Sequence, residues 1–146
     1  MSDAPPSSRP ILLVEDNPAD LDLTRRAFTR SHLLNPILVA RDGQEALDLL
    51  PRWEDGEPLP LVMLLDLKLP RVHGLEVLRA YRASAVSATL PVVVLTTSDE
   101  DADIDAAYRL GANSYILKPV DFDKFIHVAN QIELYWCALN RPPRNA

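Results

Sequence analysis

The chain holds a single cysteine, Cys137, among 146 residues, so no disulfide can close within it. That fits a reducing compartment. Glycine is scarce as well: the four glycines are scattered, with neither a G-x-G-x-x-G nor a P-loop pattern, which argues against nucleotide binding. Cations are in deficit, with 15 Lys+Arg against 21 Asp+Glu and a formal net charge of -6. Non-specific nucleic-acid binding needs the opposite balance, because lysines and arginines must displace counterions, so no nucleic-acid partner is expected. No apolar run approaches the roughly 20 residues that span a bilayer. The opening "MSDAPPSSRP" has no apolar core of a signal peptide and reads as a disordered arm over residues 1–8. A cytoplasmic protein without a membrane segment is the expectation.

What remains is an ordinary globular composition, 47% hydrophobic and 25% charged, in one domain long enough for a real core. Four short apolar runs stand out: "ILLV" (Ile11 to Val14), "ILVA" (Ile37 to Ala40), "LVMLLD" (Leu61 to Asp66) and "PVVVLT" (Pro91 to Thr96). A fifth, "SYILK" (Ser114 to Lys118), is weaker. They are continuous rather than alternating, which predicts strands covered on both faces, as in a parallel sheet. Helices lie between them. One opens on Asn17 as cap with Pro18 at the first helical position. The next has Asp42 and Glu45 at capping-box spacing. A third follows Gly74, and a fourth follows Ser98, with Asp101 three residues on, and ends at Gly111. The last, from Asp121 to Asn140, carries Phe122, Ile126, Ala129, Ile132, Trp136 and Leu139 at helical spacing. Five strand–helix units predict a doubly wound α/β fold with right-handed crossovers, and they are too few for an eight-unit barrel.

In such folds ligands bind beyond the carboxyl ends of the strands. The first strand ends in Glu15-Asp16, the third in Asp66, the fourth in Thr96 and the fifth in Lys118-Pro119. One acid at a strand end usually caps a helix or faces water. Five such groups at one edge are different. Two carboxylates about 5 Å apart repel by about 3 kcal/mol at an effective dielectric near 20, so a cluster of three calls for cations. Lys118 supplies one charge, and a hard divalent ion held by oxygens, Mg²⁺, supplies the rest. A carboxylate beside a metal and a lysine can attack phosphorus and form an aspartyl phosphate. The run "PVVVLTTSDE" then ends in hydroxyls for a reason: Thr96 can donate to a phosphoryl oxygen.

With these residues in hand, the chain resembles a response-regulator receiver domain. The resemblance rests on Glu15-Asp16 in "ILLVEDN", Asp66 in "LLDLKLP", Gly74, Thr96 in "VVLTTS", and Tyr115 and Lys118 in "GANSYILKP". It covers residues 9–140 and implies a flavodoxin-like sheet of order 2-1-3-4-5 with five helices. It implies that Asp66 accepts phosphate from a phosphohistidine on a sensor histidine kinase. Asp16, Asp66 and the backbone carbonyl of Lys68 would bind Mg²⁺, with Glu15 assisting. Lys118 would pair with the phosphoryl group, and Thr96 and Tyr115 would form the switch. The Lys118–Pro119 bond is often cis in the family. Glu15 departs from the commoner Asp. His73 stands where the family often has Asp and reads as a loop residue. Lys68 could lean over the phosphoryl group; His32 and His127 read as surface or helix-face residues.

After Lys118 only a helix and the tail 141–146 follow, so a single-domain regulator that signals by protein contact is expected. Tyr135, Trp136 and Leu139 in "ELYWCALNRPP" suggest a homodimer interface, with the output face formed by the fourth helix, fifth strand and fifth helix. More narrowly, "VEDNPAD", "LTTSDED" and "LGANSYILKPVDFDKF" are similar to small response regulators paired with bacterial phytochrome kinases. Such a protein would not be an enzyme beyond slow Mg²⁺-dependent self-phosphorylation and self-dephosphorylation. Two rivals stand beside this reading. A haloacid-dehalogenase-type phosphatase also uses an aspartyl phosphate, but normally has a second Asp where Lys68 stands. The other is a non-phosphorylated interaction module on the same fold.

Overall fold

The structure is a computed structural model that describes Pro5, residues 8–30 and residues 34–143. Most of the expected N-terminal arm, His32 and the last three residues lie outside the described residues. Along the chain run β1 (Ile11–Val14), α1 (Pro18–Arg30), β2 (Ile37–Ala40), α2 (Gly43–Glu54), β3 (Val62–Leu65) and α3 (Gly74–Ala83). Then come β4 (Val92–Thr96), α4 (Asp101–Arg109), β5 (Ser114–Leu117) and α5 (Phe122–Glu133), closed by a π-helical turn, Leu134–Leu139. The strands form one parallel sheet in the order β2-β1-β3-β4-β5. This is the flavodoxin-like fold expected from the sequence.

The strand pattern follows from position in the sheet. The central strands β1, β3 and β4 are buried along their whole length, whereas the edge strands β2 and β5 are only partly covered. Successive residues point to opposite faces. Leu12, Val14, Met63, Leu65, Val92 and Val94 pack with residues of α2 and α3, around the fully buried Trp53 and Tyr81. Ile11, Leu13, Val62, Leu64, Val93 and Leu95 pack on the other face, with Phe28 of α1 and Ile126, Ala129 and Ile132 of α5.

Most helix ends obey local rules. The Asn17 side chain accepts N–H bonds from Ala19 (2.9 Å) and Asp20 (3.2 Å), and Pro18 opens the helix. Asp42 caps α2 by accepting from Glu45 at 2.7 Å. Gly111 follows α4 with φ 102°, the left-handed conformation that ends many helices. Two ends differ from expectation. Helix α4 has Glu100, not Ser98, at its N-cap; Ser98 instead donates to the Asp103 carboxylate at 2.6 Å, tying the loop to the first helical turn. The last helix does not run as one α-helix to Asn140. It widens after Glu133 into the π-helical turn, which changes the angular spacing of the apolar stripe. Phe122 and Leu139, expected on the packed face, are 48% and 62% exposed, while Trp136 packs against the α1/α5 core.

Tyr81 links two helices inside the core. Its hydroxyl donates to the Ala46 carbonyl at 2.6 Å and accepts from the Trp53 indole N–H at 3.4 Å. Burial pushes the phenol up to about 12, so it stays a donor at any working pH. Tyr81→Phe strands the buried indole N–H and is expected to lower stability by about 1–3 kcal/mol. Urea unfolding, with the midpoint shifted and the slope unchanged, checks this.

Candidate functional site

The sheet ladder carries the site. Glu15, Asp66 and Lys118 each follow the last residue of a strand, and each backbone N–H still bonds to the neighbouring strand. Glu15 donates to Ala40 (3.0 Å), Asp66 to Val14 (3.0 Å) and Lys118 to Thr96 (2.8 Å). Their backbones are therefore held as rigidly as the sheet, while their side chains leave it at the carboxyl edge.

There they meet. Lys118 Nζ donates to both carboxylate oxygens of Glu15 (2.9 and 2.8 Å), to Asp66 Oδ2 (3.0 Å) and to Asp20 Oδ2 (2.9 Å). The lysine and the Glu15 and Asp66 carboxylates are nearly closed off from solvent. Burial alone would lower the lysine pKa, but the surrounding carboxylates outweigh it and hold the ammonium above the usual lysine range. The two buried acids part company. Burial pushes Glu15 up to about 8, against the pull of Lys118. Burial also raises Asp66, but the charge and hydrogen bond of Lys118, with help from Glu15 and Thr96, outweigh it and keep Asp66 below the usual carboxylate range. Of the two buried acids, Asp66 is the one its partners hold toward the ionised form.

Asp16 is exposed and completes an acidic trio: Glu15, Asp16 and Asp66 each bring a carboxylate oxygen within 4.8 Å of the others. An all-oxygen, acidic donor set suits a hard divalent cation such as Mg²⁺. Lys68 is exposed at the rim, and its backbone N–H donates to Asp66 Oδ1 at 3.3 Å. Thr96 is fully buried at the end of β4, where its hydroxyl accepts the Ser98 N–H at 3.4 Å. Tyr115, on β5, donates from its hydroxyl to the Ser98 carbonyl at 2.8 Å. Thr96 and Tyr115 therefore hold the same residue of the β4–α4 loop.

Gly74 is required by close approach. A Cβ at this position would run into the carbonyl oxygen of Asp66 and lie 2.6 Å from Leu67 Cα. Its N–H donates to the Leu67 carbonyl at 2.8 Å, so the start of α3 folds back against the backbone of Asp66. His73, read from sequence as a loop residue, caps α3: its Nδ1 accepts the Leu75 N–H at 3.1 Å. His127 is exposed on α5, beside Gln131. Among the described residues there is no cis peptide bond, so Lys118–Pro119 is trans.

The sequence reading brought Glu15, Asp16, Asp66, Thr96 and Lys118 to this edge, and they are found there. Tyr135, Trp136 and Leu139 lie away from it, along the π-helical turn, where Tyr135 and Trp136 rings meet edge to face at 4.9 Å. One site residue was missed. Asp20 sits in the first turn of α1 and reads in sequence as a helix N-terminal acid, but its carboxylate reaches Lys118. The available signal was its place five residues after Glu15, in the turn that follows the acidic pair.

A parallel 2-1-3-4-5 sheet with a lysine-tethered carboxylate at the end of β3 and an acidic pair at the end of β1 is the architecture of a receiver-type signalling domain. The chain belongs to the response regulator receiver domain family, which it matches over residues 11–130. It is 46% identical over 134 residues to the probable methanogenesis regulatory protein FilR2 of Methanothrix harundinacea, covering 91% of this chain and 86% of that protein. It is 36% identical to response regulator Rcp1 of Synechocystis over 93% of this chain and 94% of Rcp1. The Mn²⁺-bound structure of Rcp1 superposes with a TM-score of 0.86 at 34% identity, over 92% of this chain and 99% of Rcp1. The phosphorylated cyanobacterial phytochrome response regulator RcpA superposes with a TM-score of 0.87 at 34% identity, over 93% of this chain and 99% of RcpA. Receiver domains bind Mg²⁺ in an acidic pocket, and Glu15, Asp16 and Asp66 form an acidic group here. No helix among the described residues is long and apolar enough to cross a membrane.

Gly74→Ala tests how the fold positions Asp66. The added methyl forces α3 away from the Asp66 backbone, with an expected loss of about 1–3 kcal/mol in unfolding free energy. Mn²⁺ affinity, measured by calorimetry on the folded variant, is expected to fall with it.

Proposed function

We propose that this protein accepts a phosphoryl group from a sensor histidine kinase on Asp66 and passes the signal on by protein contact in the cytoplasm. The observation that carries the reading is the Asp66 carboxylate itself: buried, held ionised, and 3.0 Å from Lys118 at the end of β3. An Asp66 oxygen attacks phosphorus, the P–N bond to the kinase imidazole breaks with its electron pair going to nitrogen, and the ring, protonated at its other nitrogen, leaves as neutral imidazole. Lys118 is placed to follow the charge from the carboxylate to the phosphoryl oxygens. Thr96 lies at the adjacent strand end, where its hydroxyl can donate to one of them. A Mg²⁺ held by Glu15, Asp16, Asp66 and the Lys68 carbonyl supplies charge neutralisation at those oxygens when bound. Movement of Thr96 toward the new group, with Tyr115 following, would release the Ser98 contact that both now share and so alter the β4–α4 loop.

The similarity to a phytochrome response regulator supports a phytochrome-type kinase as the donor. Phosphotransfer from purified phytochrome-type and other histidine kinases tests both levels of the reading. Wild type is expected to take label in the presence of Mg²⁺ and Asp66→Asn to take none, a loss of at least about a thousandfold for removal of a nucleophile. Label on the Asn variant, or none on wild type from any donor or from acetyl phosphate, removes the reading. Selective transfer from the phytochrome-type kinase is the expected ranking.

The β5–α5 face supports a homodimer. A groove lined by Ile116, Val128, Tyr135 and Trp136 runs along it, and Tyr135 and Leu139 are 52% and 62% exposed beside it. Trp136 also packs on the protein's own core, so the exposed pair is the cleaner test. The double substitution Tyr135→Glu, Leu139→Glu is expected to reduce the sedimentation mass from dimer to monomer. A monomeric wild type, or an unchanged dimer in the variant, rejects this interface.

A further inference from the structure

Asp20 has no part in the phosphoacceptor reading given above, yet it makes one of the four contacts of Lys118, at 2.9 Å. Its backbone is pinned. Its N–H donates to the Asn17 cap at 3.2 Å, and its carbonyl accepts the Thr24 hydroxyl at 2.9 Å. The carboxylate is thus aimed from a rigid first helical turn across a small cleft lined among others by Glu15, Asp66, Lys118, Thr24 and Phe125.

Formal charge makes the contact consequential. Glu15, Asp16 and Asp66 gather three carboxyl groups; ionised, as metal ligation requires, they are balanced by one divalent cation and Lys118. Asp20 brings a fourth. Phosphorylation then replaces the single charge of Asp66 by roughly two, so the occupied site grows more negative still. The ammonium that must turn toward the phosphoryl oxygens is meanwhile held from the α1 side.

We propose that Asp20 is a positioning residue for Lys118: it anchors the ammonium away from the incoming group and adds a charge that favours the metal but opposes the phosphoryl state. Resting on the phosphoacceptor reading, this makes Asp20 a brake on activation. The two ligands must respond in opposite directions, which a general loosening of the fold cannot produce.

The test compares wild type, Asp20→Asn and the charge-preserving Asp20→Glu by calorimetry. Two probes are used: Mg²⁺ alone, and beryllofluoride at saturating Mg²⁺, as a stand-in for the phosphoryl group. Asp20→Asn is expected to bind Mg²⁺ about tenfold more weakly and beryllofluoride about three- to tenfold more tightly, the order set by one unit charge in a partly screened pocket. Asp20→Glu is expected to keep the wild-type ranking. Should the amide variant not fold, Asp20→Ser makes the same comparison. Weakening of both ligands, or no change in either, overturns the proposal and leaves the phosphoacceptor reading standing. Beryllofluoride binding that survives Asp66→Asn, or is absent from wild type, overturns both.

Discussion

One ammonium holds this site together. Lys118 contacts Glu15 from the end of β1, Asp66 from the end of β3 and Asp20 from α1, while its own backbone is bonded to β4. Remove it and buried carboxylates face one another with no compensating charge. At an effective dielectric near 20, each such pair costs on the order of 3 kcal/mol. The lysine is therefore both a strut between elements far apart in the chain and a charge available to chemistry. These roles conflict when a new anion arrives, because the contacts that stabilise the resting state must be exchanged for contacts to the newcomer. A domain built this way has two competing arrangements, which a switch requires.

The rest of the fold supports that centre. Three central strands with no exposed face fix the register, and the sheet hydrogen bonds continue one residue past the strands to hold Glu15, Asp66 and Lys118. Gly74 lets the next helix start against the Asp66 backbone, and His73 caps that helix. On the far side of Thr96, the Ser98 N–H donates to the Thr96 hydroxyl and the Ser98 carbonyl accepts from the Tyr115 hydroxyl, so the loop into α4 is tied to two groups near the site.

Much of this was legible along the chain. Continuous apolar runs of four to six residues between capped helices specify a parallel sheet, because only strands covered by helices on both faces can be apolar throughout. The polar groups at their carboxyl ends name the site, since strand ends in such sheets converge on one edge. Asn17-Pro18, Asp42 and Gly111 behave as local rules require, because caps involve only residues within a turn. Where the contest was between near neighbours, local reading erred. Ser98 bonds Asp103 instead of capping α4, and the helical stripe after Glu133 is broken by a π-helical turn that no spacing announces.

By itself, then, the order of residues determined the layers and the sheet edge on which Asp66, the acidic pair, Thr96 and Lys118 converge. Only the tertiary structure decided that burial pushes Glu15 up while Lys118 holds Asp66 down, since the two acids differ through surroundings and shared partners, not through type. It also decided that Asp20, an unremarked acid of a helix start, is a ligand of the lysine 98 positions away. The physical reason is the same in both cases. Burial and Coulomb energy depend on distances through space, and a linear pattern records neighbours but not the closure that brings distant charges within 3 Å.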